Sequence, residues 1–336
     1  MPTAERATAS SDHAIPVDPN VIGGCLSTPI IGTHLTPGFV GVQDYLRLPR
    51  EKEAWLIKPL IPVGGAALLF SPPKTGKSAV ALQLAHAIST GQKEWMGFPV
   101  LTHGRVLYLQ QDTPRSTWTM RLEAFQKNGF TFNSDLMKMS DRDSLAYYPF
   151  DILQPQHMDY LAHVVRAQQP VRAVFIDTLR KIHTGNENDS TVMSNVVSNL
   201  IKAVNPAALI LISHDRKPSP DVEKDIMSDH RGSTSVVGEM DGIIRLTKSR
   251  MYYAGRSIEE GSIKLVRRDS QDALIWDYDR EEYRDAIISV LDNQELSSMR
   301  AKARELSKMI NKSEEAAMSI LRRQTIRTSE SLKRGD

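Results

Sequence analysis

The amino-acid sequence predicts an α/β protein with a mostly parallel β-sheet, followed by a small helical region. Short apolar runs alternate with amphipathic helical patterns through the middle of the chain. This alternation is typical of a parallel sheet that helices cover on both faces. The last apolar runs have no helix between them, so we expect an antiparallel edge or hairpin where the sheet ends.

Three regions follow one another along the chain. Residues 1–45 are rich in Ser, Thr, Pro and Gly without a sustained period, which favours a poorly ordered leader, and 46–280 form the main domain. The main domain opens on a helical or extended segment at 44–60. Its predicted strands are 66–70, 106–109, 173–176, 209–212, 242–246, 262–266 and 273–276, and its predicted helices are 77–89, 115–128, 157–168 and 191–204. Residues 281–336 hold only three short helical patterns, at 285–291, 301–309 and 313–323.

The composition is that of an ordinary soluble globular protein, with 40% hydrophobic and 24% charged residues in 336. The single cysteine, Cys25, excludes an internal disulfide and fits a reducing compartment, so we expect a cytoplasmic protein. No run approaches the roughly 20 apolar residues that span a membrane, and no secretory signal is visible. A net charge of +2 neither establishes nor excludes nucleic-acid binding.

A phosphate-binding loop connects the predicted strand 66–70 to the predicted helix 77–89. Its residues are Ser71, Pro72, Pro73, Lys74, Thr75, Gly76, Lys77 and Ser78. Backbone N–H groups of such a loop, and of the helix that follows, bind phosphate oxygens. Lys77 would contact the β- and γ-phosphates of ATP, and the Ser78 hydroxyl would bind Mg²⁺. The usual pattern begins with glycine, whereas Ser71 resists a positive φ angle.

Polar residues follow three further predicted strands. Asp177 is predicted to hold Mg²⁺ through water, and the alternative is an N-cap of the next segment. Asp112 is placed to orient the attacking water, and the alternative is that it caps the helix that starts near Pro114. His214 is placed to sense the γ-phosphate, although a lone histidine is more often structural.

Together these segments resemble the RecA-fold ATPases close to the RepA-type hexameric replicative helicases of plasmids, phages and prophages. The resemblance covers roughly residues 55–278. Its motifs stand in order as Trp55-Leu56-Ile57 with Gly64-Gly65, the phosphate loop, Leu107-Tyr108-Leu109-Gln110-Gln111-Asp112, Ile176-Asp177-Thr178-Leu179-Arg180-Lys181, Ser213-His214, and Arg231-Gly232-Ser233-Thr234-Ser235-Val236 followed by Met240-Asp241.

The resemblance implies a RecA-like core, ATP at a subunit boundary, and a homo-oligomer, a hexameric ring or a filament, that tracks single-stranded DNA. By position, Asp112 matches the family's catalytic glutamate, and its shorter side chain puts full turnover in question. Asp177 matches the Walker B acid and His214 the sensor, and the segment at 231–233 matches a motif near the central channel. Arg268 is the candidate arginine finger, with Arg267 second; the alternative is a solvated turn charge.

The C-terminal helical patterns have the spacing of a helix-turn-helix, with 313–324 as the recognition helix. Between residues 300 and 334 the basic side chains are Arg300, Lys302, Arg304, Lys308, Lys312, Arg322, Arg323, Arg327, Lys333 and Arg334, against the acids Glu305, Glu314, Glu315 and Glu330. This local excess suits the phosphates of duplex DNA. The alternative is a helical cap or subunit-docking module with a solvated basic face.

The expected function is that of an ATP-hydrolysing, DNA-associated motor, a replicative helicase or helicase-like translocase of a mobile element. One alternative is an ATP-dependent recombination or annealing protein that forms filaments. Another is a DNA-binding replication initiator or regulator. Unwinding of a forked duplex separates the first two, and loss of DNA binding without residues 281–336 would favour the third.

Overall fold

The structure is a computed structural model that describes residues 40–48, 54–141, 144–147, 149–214, 234–270, 273–279, 284–310, 314, 317–318 and 320–322. The chain divides into two units, Met1–Lys52 and Glu53–Asp336. Helix α1 (Val42–Arg47) belongs to the first unit. The predicted leader lies outside the described residues, apart from its last positions.

The second unit contains all the other strands and helices. Its strands are β1 (Trp55–Ile57), β2 (Ile61–Pro62), β3 (Ala66–Ser71), β4 (Glu94–Trp95), β5 (Phe98–Pro99), β6 (Arg105–Gln110), β7 (Met137–Ser140), β8 (Val171–Asp177), β9 (Ala208–His214), β10 (Gly242–Leu246), β11 (Arg250–Gly255), β12 (Ile258–Ser270) and β13 (Ala273–Tyr278). Its helices are α2 (Lys77–Thr90), α3 (Arg115–Lys127), α4 (Pro155–Ala167), α5 (Ser190–Val204), α6 (Thr234–Gly238), α7 (Arg284–Asp292) and α8 (Met299–Ile310), with a 3₁₀ turn at Leu179–Lys181. No described helix is both long and apolar enough to cross a lipid bilayer.

Nine strands form one sheet in the order β13-β12-β11-β10-β3-β9-β8-β6-β7. The strands from β10 to β7 in this order pair in parallel. The strands from β10 to β13 pair antiparallel. The structure therefore confirms the predicted fold class, a mostly parallel sheet with an antiparallel end. The order also places β9 between the strand that leads into the phosphate loop and the strand that ends at Asp177.

Apolar side chains on both faces of the sheet explain why the central strands have continuous apolar sequences. Leu69 and Phe175 pack into a core on the face that α2 and α3 cover, whereas Leu68 and Val174 pack into a second core under α4 and α5. Successive strand residues point to opposite faces, so neighbours along one strand enter different cores. Both layers are needed to bury a parallel sheet.

Two strands of the large sheet were not predicted from the sequence. Strand β7 is an edge strand with mostly exposed or half-buried residues, so it lacks an apolar run. Strand β11 begins with a half-buried arginine and ends in a glycine, which masks its buried aromatic residues. Strand β12 is also longer than predicted, because its exposed half pairs with β13 beyond the apolar segment at 262–266.

The C-terminal region is helical, as predicted. Helices α7 and α8 bury a small apolar cluster that also takes in Ala317 and Leu321. The described residues between 314 and 322 are helical, which agrees with the third predicted pattern. The turn at 311–313, on which the helix-turn-helix hypothesis depends, lies outside the described residues. The division into a separate domain at residue 281 stays a prediction.

Candidate functional site

The parallel strands end at a common edge of the sheet, and this edge carries the predicted site residues. The register places Ser71 opposite His214 on adjacent strands. It places Asp177 opposite Ile212 on one side and opposite Gln110 on the other. The phosphate loop, the sensor histidine and the strand-end aspartate therefore come together as the sequence predicted, because carboxyl ends of parallel strands share one edge.

The backbone of the phosphate loop takes left-handed conformations at two described positions. Gly76, the residue before helix α2, has φ 94°, and Lys74 has φ 62°. A Cβ atom at Gly76 would lie 2.6 Å from Leu274 Cδ2 and 2.7 Å from Trp276 Nε1. Ser71 is not among the described residues with positive φ, and its hydroxyl donates to the Pro72 carbonyl over 2.9 Å. Serine therefore replaces the usual glycine here without backbone strain.

Lys77 is buried at the first position of α2 and contacts the predicted sensor. Its Nζ lies 3.1 Å from Nδ1 of His214. Because an ammonium group only donates, the His214 nitrogen accepts this hydrogen bond. A nucleotide phosphate would compete with His214 for the Lys77 charge, so the contact connects the two residues to the same ligand.

Asp177 is buried, with 2% of its surface exposed. Its Oδ2 accepts a hydrogen bond of 3.0 Å from the Tyr108 hydroxyl. Its Oδ1 is buried and has no hydrogen-bond partner among the described residues. Burial raises the pKa of Asp177, and the Ser78 and Tyr108 hydroxyls and the charges of Lys77 and Arg121 oppose that rise.

Ser78 and Asp177 fit a magnesium ion that also binds nucleotide phosphates. Magnesium usually takes one or two carboxylates, substrate phosphates and several waters, so it does not need a cage of protein ligands. The described residues contain no group of three acidic, histidine or cysteine side chains that could form such a cage. The unpartnered Oδ1 of Asp177 is the kind of buried acceptor that such an ion, or its bound water, would satisfy.

Asp112 follows β6 and is exposed to solvent. It makes no hydrogen bond with the described residues; instead, Gln110 Oε1 closes the turn by accepting from Thr113 N over 3.0 Å. Helix α3 begins after Pro114 without a side-chain cap. The helix therefore does not use Asp112 as its cap, which leaves this carboxylate available at the nucleotide edge.

Two residues of the site were not found from the sequence. Tyr108 lies inside β6 and stacks on Phe175 at 5.3 Å, which brings its hydroxyl to Asp177. Arg121 lies on α3 with its guanidinium 4.7 Å from the Trp118 ring centre. Its Nη1 is buried without a partner among the described residues. No motif marks either residue, because each acts through strand pairing or helix packing rather than through sequence spacing.

A cavity of about 440 Å³ opens beside the phosphate loop, within the usual range for small-molecule sites. The loop, α3 and the start of β13 line it, with Lys77, Ser78, Arg121 and Leu274 among the lining residues. The cations Lys77 and Arg121 and a helix N-terminus therefore face one space, which favours an anionic ligand such as a nucleotide.

Arg268 does not join this cavity. It lies on β12, mostly exposed, and its guanidinium is 2.6 Å from Asp277 Oδ2. The chain therefore does not bring the candidate arginine finger to its own phosphate loop. The segment at 231–233, the other predicted contact with the channel, lies outside the described residues.

The loop geometry and the strand order together place the protein among the P-loop ATPases with a RecA-like fold, a nucleotide-binding class. The chain belongs to the AAA domain family, whose sequence model matches residues 35–220.

Three solved structures illustrate the likeness of the fold. An isolated ATPase domain is 15% identical with a TM-score of 0.46, covering 63% of this chain and 84% of that one. A DnaB-like replicative helicase is 16% identical with a TM-score of 0.45, covering 63% of this chain and 57% of that one. A KaiC-like protein from the archaeon Pyrococcus horikoshii is 14% identical with a TM-score of 0.42, covering 68% of this chain and 98% of that one.

Proposed function

We propose that this protein is an ATP-hydrolysing, DNA-associated motor, a replicative helicase or helicase-like translocase of a mobile element that acts in the cytoplasm. The observation that supports ATP hydrolysis most directly is the meeting of Lys77, Ser78 and the unpartnered oxygen of Asp177 beside the phosphate loop. The DNA-associated part rests on the ordered helicase-like motifs between residues 55 and 278.

In the proposed reaction, the loop N–H groups and Lys77 bind the phosphates, and Lys77 exchanges its contact with His214 for the nucleotide. Mg²⁺, held through Ser78 and Asp177, would supply positive charge to the β- and γ-phosphates. Asp112 would orient the attacking water, since its carboxylate is exposed and uncommitted to a helix cap. Released His214 could then hydrogen-bond a phosphate oxygen and report whether it is present.

The active form is proposed to be a homo-oligomer in which Arg268 reaches the nucleotide of a neighbouring subunit. Arg268 is exposed and lies outside the cavity of its own chain, so it would act only on another copy. Its ion pair with Asp277 would have to open first. This pair is largely exposed and costs little to break.

The C-terminal helices are proposed as a second contact with DNA, although several basic side chains there have other partners. Lys302 donates to the carbonyl of Leu291 on the neighbouring helix, and Arg304 pairs with Glu314. Lys308 pairs with Glu305 on its own helix. Arg300 and Arg322 are the described basic residues here with no such ion pair among the described residues, so they are the first to test for phosphate contacts.

The proposed function is tested by ATP hydrolysis with and without single-stranded DNA, followed by unwinding of a forked duplex. A motor hydrolyses ATP faster when DNA is present and unwinds the fork, and Lys77→Ala abolishes both. DNA-stimulated hydrolysis without unwinding would favour the annealing or recombination protein. DNA binding that needs neither ATP nor Lys77, but is lost in Arg300→Glu and Arg322→Glu, would favour the initiator or regulator.

A further inference from the structure

The Tyr108 hydroxyl is the only described group within hydrogen-bond distance of Asp177 Oδ2, the oxygen on the side of strand β6. Tyr108 and Asp177 are both buried, with 1% and 2% of their surface exposed. Since the carboxylate only accepts, the tyrosine must donate. A hydrogen bond between two groups that are both shielded from water holds its geometry better than a surface bond, because no solvent competes for either partner.

The tyrosine ring is itself fixed from both sides. Tyr108 stacks on Phe175 of β8 with an interplanar angle of 8°. Trp118 of α3 packs on it at 5.2 Å, and Trp118 Nε1 donates to the Thr113 hydroxyl over 2.8 Å. The hydroxyl therefore has little freedom, and the carboxylate that it binds cannot rotate without losing the bond.

We infer that Tyr108 is a positioning residue that locks one oxygen of Asp177 and thereby turns the other, Oδ1, toward Ser78 and the Mg²⁺ of a bound nucleotide. The inference rests on the proposed role of Ser78 and Asp177. A carboxylate has two equivalent oxygens, so anchoring one by a neutral donor sets the direction of the other. Groups that orient metal ligands in this way usually change metal affinity about 10–100-fold when removed.

The substitution that tests the inference is Tyr108→Phe, which removes the hydroxyl and keeps the ring and its stack on Phe175. The readout is the affinity for a fluorescent ADP, measured in excess EDTA and in excess Mg²⁺, and the ratio of the two affinities gives the enhancement by Mg²⁺. This ratio reports on the metal and does not require turnover. We expect Tyr108→Phe to lower the enhancement about tenfold while the affinity in EDTA changes by less than about twofold.

Tyr253→Phe is the matched control. Tyr253 is as buried as Tyr108, and it packs edge-on against Phe98 in strand β11, outside the nucleotide cavity. It should leave the Mg²⁺ enhancement unchanged even if it lowers the melting temperature. A melting curve for Tyr108→Phe verifies that the variant is folded at the temperature of the titration.

Asp177→Asn separates this inference from the proposed function. If Asp177→Asn loses the Mg²⁺ enhancement and Tyr108→Phe keeps it in full, the metal site stands and the role of Tyr108 is wrong. If Tyr108→Phe weakens binding equally in EDTA and in Mg²⁺, the hydroxyl has a general structural role, and the inference is again wrong. If the wild-type protein shows no enhancement by Mg²⁺, the metal site and the inference both fail.

Discussion

Among the single residues of the site, Asp112 is the one whose role the structure narrows most. The sequence left two interpretations open, a water-orienting acid and a helix cap. The structure gives the turn to Gln110 and the helix start to Pro114, without a side-chain cap. An exposed acid with no structural partner among the described residues can change without disturbing the fold, so stability and catalysis should respond differently to its substitution.

Asp112→Asn is therefore expected to change the free energy of unfolding by less than about 0.5 kcal/mol, as for most surface substitutions. Nucleotide affinity should stay near the wild-type value. Single-turnover hydrolysis should fall by about 10²-fold or more, because the amide cannot accept a proton or orient water as the carboxylate does. Asp112→Glu then indicates whether the site is built for the longer acid of the family, in which case its rate equals or exceeds that of the wild type.

A native single-turnover rate in Asp112→Asn would remove Asp112 from the site. A loss of stability without a loss of rate would instead restore the capping interpretation. Gln111, the neighbouring residue, could not take over as a base, because an amide does not accept the proton.

Residue roles were partly predictable because strand ends are visible in the sequence. An apolar run that stops at Asp177 or at His214 identifies the carboxyl edge of a parallel sheet, and the structure has both residues there. Tyr108 and Arg121 could not be found in this way. Which side chain faces Asp177 across β6 depends on the register between two strands, and which residue of α3 enters the cavity depends on how the helix packs.

Among the secondary-structure elements, strand β13 is docked on the helix of the phosphate loop by one side chain. Gln83 of α2 donates to the Trp276 carbonyl over 2.7 Å and accepts from the Trp276 N–H over 3.0 Å. Strand β13 lies at the edge of the sheet, so these backbone groups have no further strand to pair with. Leu274 and Trp276 of the same strand approach Gly76. The hairpin that carries Arg268 is thus connected to the nucleotide loop.

Gln83→Ala should lower the free energy of unfolding by about 2 kcal/mol, because two buried backbone groups lose their partner. Gln126→Ala is the control, since Gln126 is exposed on α3. Chemical denaturation measures both variants. An effect of Gln83→Ala no larger than that of the control would contradict the docking role of this side chain.

At the same scale, the sequence predicted the central helices and strands to within about two residues, but not the strands of the periphery. Helix α5 shows why: its apolar positions recur at helical spacing, and Asp189 caps it by accepting from Thr191 N and Val192 N. Strands β7 and β11 lack such signals. Their sequences become strands because a neighbouring strand supplies the hydrogen bonds, which is a tertiary effect that local pattern does not contain.

For the whole molecule, the central hypothesis about assembly is that hydrolysis is shared between subunits. Arg268 is paired with Asp277 in its own chain and lies outside its own nucleotide cavity. If it completes the site of a neighbour, Lys77→Ala and Arg268→Ala subunits should each be inactive alone and partly active when mixed. An arginine finger is worth about 10³-fold or more in rate, so the recovered activity should be easy to detect.

Mixing is measured by steady-state ATP hydrolysis across a range of subunit ratios, with native assembly verified for each mixture. Arg256→Ala is the control for Arg268→Ala, because Arg256 is also exposed and ion-paired, to Asp241 in the turn after β11. No recovery at any ratio, despite normal assembly, would assign Arg268 to its own-chain ion pair alone.

The measurement that tests the account most directly is Mg²⁺-dependent ATP hydrolysis by the full chain and by Lys77→Ala, with Lys127→Ala as the control. Lys127 is an exposed lysine at the end of α3. The account predicts that the wild-type protein and Lys127→Ala hydrolyse ATP at similar rates. It predicts that Lys77→Ala loses most of the turnover, because the phosphates lose the cation that the fold holds beside them. Hydrolysis by Lys77→Ala at the wild-type rate would show that the loop at 71–78 is not the site of the reaction.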